Sequence, residues 1–77
     1  MQLMEEMADT MAREVLKRER ATKDETLVDT VAEIVGSSST TLQEAFMTAI
    51  RVRRAEARAK DFFAEYDKKH NLQARTG

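Results

Sequence analysis

An all-α domain is the expectation for this chain of 77 residues, and three features carry it. Proline is absent and there are only two glycines, Gly36 and Gly77. The abundant residues are Ala, Glu, Arg, Lys, Met and Leu, which lose least on entering a helix. Apolar residues recur at helical spacing in three segments, about 2–20, 23–35 and 41–69. The expected architecture is a three-segment helical bundle over residues 1–70. The long C-terminal helix forms a hairpin with the middle one, and an N-terminal amphipathic helix is added to it. The tail 71–77, NLQARTG, has no periodicity and is expected to be flexible.

Each boundary has a local reason. Thr22 with Glu25, and again Thr41 with Glu44, have the spacing of a capping box, in which two side chains satisfy backbone N–H groups of the first turn. Gly36 stands where a helix places its left-handed C-terminal residue. Nothing in KRERATKDET forbids one helix from 2 to 35, so the apolar phases decide. Met4, Met7, Met11 and Val15 cluster near roughly 30° on a common wheel, and Leu27, Val31, Ile34 and Val35 near roughly 200°. The stripes face opposite ways, which favours a turn near residues 20–23.

The third segment, roughly 42 Å long, carries Leu42, Ala45, Phe46, Ala49, Ile50, Val52, Ala59, Phe62, Phe63 and Tyr66. The middle segment, at roughly 20 Å, covers only its first half. Phe62, Phe63 and Tyr66 therefore need the first segment, a second copy or another protein. A domain this size buries only about 60% of the surface its unfolded chain exposes. Small folds commonly recruit disulfides, metal or another subunit. Cysteine is absent and His70 is the one histidine, which leaves oligomerisation or a partner chain.

The charge pattern offers two readings of the hinge between the second and third segments. Ala32, Gly36 and Leu42, with Val31, Val35 and Ala45 around them, lie in VAEIVGSSSTTLQEAF. This spacing resembles the helix-turn-helix of phage repressors over about 16 residues. The resemblance implies that Ser38, Ser39, Thr41 and Gln43 address phosphates and base edges. An arginine stripe of Arg51, Arg54 and Arg58, within RVRRAEARAK, would add phosphate contacts. Against this, Ser37 replaces the apolar residue that plugs such turns, and a recognition helix is seldom so long. Asp24, Glu25, Asp29, Glu33 and Glu44 supply five carboxylates with no Lys or Arg between them. The competing reading is an antiparallel hairpin that places Val35 on Leu42, Val31 on Phe46 and Val28 on Ala49. It also brings Asp24, Glu25 and Asp29 near Arg51, Arg53 and Arg54.

AEIVGSSSTTLQEAFMTAI also resembles the strand-turn-helix opening of dodecins, small flavin-binding shells, with Phe62 and Phe63 near their flavin-stacking aromatic. That family needs two further strands, whereas RVRRAEARAKDFFAEYDKKH continues with helix formers. Flavin binding is not carried over.

Catalysis finds no convergent groups here. His70 lacks a histidine at i+3 or i+4, the serines at 37–39 have no glycine-framed elbow, and Gly36 alone makes no phosphate loop. No cofactor, metal or small-molecule substrate is expected. No apolar run nears the roughly 18 residues of a membrane span, and the net charge is −1. Acid residues in MQLMEEMADTM, where a secretory leader is basic and then apolar, point to a cytoplasmic protein.

The expected function is a non-enzymatic helical protein–protein interaction module, a homo-oligomer or one half of a helical pair. Its partner-binding residues are Met4, Met7, Met11, Val15, Phe62, Phe63 and Tyr66. The alternative is a small helix-turn-helix DNA-binding regulator or phage-type accessory protein.

Overall fold

The computed structural model describes residues 2–72. Three helices make up the fold: α1 (Leu3–Thr22), α2 (Leu27–Gly36) and α3 (Thr40–Lys69). α1 packs on α3, and α2 packs on α3 and more lightly on α1, as an all-α bundle. Two short connections reverse the chain twice, so α1 and α3 run in the same direction. Glu5 and Asp9 lie beside Ala45 to Val52, and Leu16 to Arg20 beside Arg54 to Lys60.

The chain does turn between the first two helices, through other residues than expected. Lys23 adopts the left-handed conformation (φ 62°), and its N–H reaches the Glu19 carbonyl at 2.7 Å, closing α1. The Thr22 hydroxyl donates back to the Arg18 carbonyl and accepts from the Asp24 N–H, so it finishes α1 instead of starting α2. Asp24, not Thr22 with Glu25, organises the next start: its carboxylate accepts from both the N–H and the hydroxyl of Thr26. A short polar side chain folding onto the backbone two residues ahead makes a turn without glycine.

At the second turn Ser39 is the N-cap, its hydroxyl oxygen accepting the Leu42 N–H at 3.0 Å. The Thr41–Glu44 box is not used. Gly36 is the last helical residue, not a left-handed cap. Its lack of a side chain serves a close approach instead. Gln43 of α3 crosses the glycine to donate to the Ala32 carbonyl at 2.9 Å, and a Cβ on Gly36 would collide with that amide. Ala32 to Gly36 are helical, and no strand occurs among the described residues, so the dodecin-like opening strand is not formed. At the far end Asn71 (φ 57°) and Leu72 close α3, with the Leu72 N–H on the Asp67 carbonyl at 2.7 Å and the Asn71 N–H on Lys68. Of the expected tail 71–77, residues 73–77 lie outside the described residues.

The core is small. Ala8, Ala12 and Val15 of α1, Val28 and Ala32 of α2, and Phe46 and Ile50 of α3 are buried, and only Phe46 and Ile50 are large side chains fully enclosed. Met11, Leu16, Leu27, Val31, Met47 and Ala49 pack partly against them. The inward faces are rotated from the expected stripes towards the small residues. α1 turns Ala8 and Ala12 inward and leaves Met4 and Met7 exposed; α2 turns Ala32 inward and leaves Ile34 exposed. Alanine lets helix axes approach closely, so the α1 and α2 backbones can close tightly around Phe46 and Ile50.

Removing the central ring, Phe46→Ala, is expected to lower the unfolding free energy by about 3–5 kcal/mol, and Ile50→Val by about 0.5–1.5 kcal/mol. Urea titration followed by circular dichroism checks both. Gly36→Ala is expected to destabilise the chain by displacing Gln43, a net loss of about 1 kcal/mol. In a Gln43→Ala background the same change becomes neutral or stabilising, because only the gain in helix propensity remains.

Candidate interaction surface

The ion pairs decide where α1 sits. Arg53 of α3 grips Asp9 with both ends of its guanidinium, Nε to Oδ1 at 2.9 Å and Nη2 to Oδ2 at 2.7 Å. Arg13 adds a longer contact to the same carboxylate at 3.4 Å. The bond from Arg53 holds the Asp9 carboxyl below its ordinary value, and partial burial works the other way. The same bond raises Arg53. Arg54 reaches Glu19 at 3.0 Å. The arginine band thus pairs with α1, not with Asp24, Glu25 and Asp29 of the α2 region as the hairpin register expected. Asp24 is occupied by Thr26, which lowers its carboxyl. Glu25 and Asp29 are exposed, with no ion pair among the described residues. Of the apolar residues in that register, Val28 and Phe46 belong to one buried cluster, against which Val31 and Ala49 pack.

Three of the seven residues proposed to address nucleic acid are engaged inside the chain. Ser39 caps α3, Gln43 bonds to Ala32, and Arg54 pairs with Glu19. Ser38, Thr41, Arg51 and Arg58 are exposed. Asp24, Glu25, Asp29, Glu33 and Glu44 are exposed as well, and their sign opposes phosphate. A groove of about 540 Å³ between α1 and α3 was not anticipated. It collects Arg13, Lys17, Arg20, Arg53, Arg54 and Lys60 against Glu14, Glu19 and Glu56. Its signal was present in two basic runs, KRER and RVRRAEARAK, which lie side by side only because α1 and α3 are codirectional.

The partner-binding set divides. Val15 is buried and Met11 packs against the core, so both serve the fold and are withdrawn from any outer surface. Met4 and Met7 stay exposed at the start of α1. Phe62, Phe63 and Tyr66 lie at the other end of the molecule, roughly 25 Å along α3 from Ala45 beside α1's first turns. They are 61%, 60% and 45% exposed. The cause is length. α3 has 30 residues and α1 has 20, and α1 flanks α3 only as far as Lys60, so the last turns of α3, with Phe62, Phe63 and Tyr66, overhang the bundle.

On that overhang the aromatic rings touch one another. Phe62 and Phe63 meet edge to face at 5.9 Å, Phe62 and Tyr66 lie 6.0 Å apart, and His70 stacks on Tyr66 at 4.1 Å. Such contacts hold side chains in place but leave most of their area in water. Among the described residues no cluster of three or more His, Cys, Asp or Glu side chains is placed to hold a metal, and no helix is long and apolar enough to cross a membrane. No protein-family model, curated protein or solved structure matches the chain.

Asp9 sets an acid limit on stability. Its folded-state pKa lies below the ordinary 3.8, so the Arg53 pair stabilises the fold fully above that value and the contribution is lost as pH falls through the lowered one. Asp9→Asn is expected to be less stable than the natural chain at pH 7, with the difference shrinking steadily below about pH 4. Denaturation measured from pH 7 to pH 2.5 checks this, and a gap independent of pH would contradict it.

Proposed function

We propose that this chain is a non-enzymatic helical protein–protein interaction module whose contact surface is the aromatic overhang of α3. One observation carries the reading: Phe62, Phe63 and Tyr66 form a touching cluster that the chain's own helices are too short to cover. Each ring, once buried, contributes about 1.5–3 kcal/mol of transfer free energy. That is a large amount beside a core with two fully enclosed large side chains. Clustered aromatics at the centre of a contact are also the residues that dominate binding energies. Met4 and Met7 form a second, adaptable apolar patch at the far end.

The helix-turn-helix reading has less support, since three of its seven contact residues are bonded within the chain and the carboxylates from Asp24 to Glu44 are exposed.

Light scattering between about 1 and 200 μM is expected to show a species heavier than the monomer. The double change Phe62→Asp, Tyr66→Asp is expected to return the monomer with unchanged helical circular dichroism, because both side chains are exposed. A duplex DNA titration at low salt is expected to be flat. A monomer throughout, indifferent to the double change, overturns the reading.

A further inference from the structure

The exposed side of α3 carries a second apolar stripe, separate from the one that faces the core. Val52, Ala55, Ala59, Phe62 and Tyr66 follow one another at intervals of three, four, three and four residues, the spacing of a coiled-coil seam. All five are exposed. On the helical wheel they centre near roughly 120°, whereas Phe46 and Ile50 centre near roughly 300°. From Ala55 to Tyr66 the seam therefore points away from the core, while Val52, 60% exposed, borders Glu5 and Asp9 of α1.

We infer that a second copy of this chain docks on this seam, antiparallel, with Ala59 facing Phe62 of the other chain and Ala55 facing its Tyr66. This rests on the interaction-module reading and names the partner and the geometry. Three observations select the arrangement. The first is size. In a parallel, in-register pair alanine faces alanine and aromatic faces aromatic, so the required axis separation changes abruptly along the seam. In the antiparallel pair each large ring meets a small residue, and the separation stays even. The second is charge. The residues flanking the seam include Arg58 and Glu65, which form no ion pair among the described residues. The antiparallel register places Arg58 beside Glu65 of the other chain, twice by symmetry. Sliding one heptad either way brings Arg58 against Arg58 or Glu65 against Glu65. The third is length. The overlap runs from Val52, on the aliphatic stem of Lys69, to the reverse contact, roughly 27 Å. α1 flanks α3 as far as Lys60 on the side turned away from the seam, and α3 of each copy ends opposite Val52 of the other, short of its Phe46 and Ile50.

Cysteine cross-linking tests the geometry, since the chain contains no cysteine of its own. Ala55→Cys and Tyr66→Cys variants, mixed and oxidised, are expected to give the covalent heterodimer as the main product, with little homodimer from either alone. The two copies of Ala55 would be roughly 16 Å apart in the antiparallel pair, beyond disulfide reach. Arg58→Glu and Glu65→Arg are each expected to weaken dimerisation about tenfold, and the two together in one chain to restore it. All four positions are exposed, so folding is retained and circular dichroism verifies it. Homodimer from Ala55→Cys alone, or failure of the double reversal to restore association, overturns the antiparallel seam. A dimer that forms none of these cross-links places the contact elsewhere and overturns the seam while the interaction-module reading stands. A chain monomeric at every concentration overturns both.

Discussion

The clasp of Arg53 on Asp9, closing from two directions over the alanine face of α1, is what the remaining structure depends on. An apolar face alone leaves a helix free to slide and rotate by small amounts, because the hydrophobic effect has no direction. A planar guanidinium meeting a planar carboxylate at two points does have direction. It sets Asp9 at the height of Arg53, and with it sets Ala8 and Ala12 against α3. Once α1 is placed, Glu19 falls within reach of Arg54, and the basic runs of α1 and α3 line one groove.

The same placement determines what is left uncovered. Using small residues as the inward faces draws α1 and α2 close around Phe46 and Ile50, but it turns the larger Met4, Met7 and Ile34 outward. It also covers only as much of α3 as the shorter helices can reach. The last turns of α3 then hold their helical form through local means: the Asn71 and Leu72 closure, the Lys68 and Lys69 charges near the C-terminal carbonyls, and aromatic contacts along one side. A helix extended in this way costs little in backbone terms and presents apolar area that a partner can cover.

Much of the fold was legible in the residues. Helix count, the reversal between α1 and α2, the hairpin of α2 with α3, and the surplus length of α3 all follow from composition, apolar phase and segment length. That α2 is too short to cover Phe62, Phe63 and Tyr66 was likewise visible from a comparison of lengths, whereas only the structure shows that α1 leaves them exposed too. Three things were misread for identifiable reasons. Caps were assigned to spacing patterns with threonine, whereas Asp24 and Ser39 sat one or two residues away with equally able oxygens. Gly36 was read through backbone freedom, whereas its importance is the room it leaves for Gln43. The inward faces were weighted by bulk, which overlooks alanine as a contact residue.

The sequence by itself therefore determined the helices and that α2 is too short for α3, because periodicity and length are properties of each segment alone. Only the tertiary structure decided which charges pair. Asp24, Glu25, Asp29, Asp9 and Glu19 are all carboxylates within the span of α3's arginines, and composition ranks none above another. The pairs formed are those of Asp9 and Glu19, because α1, rather than the acidic start of α2, lies across the arginine face of α3.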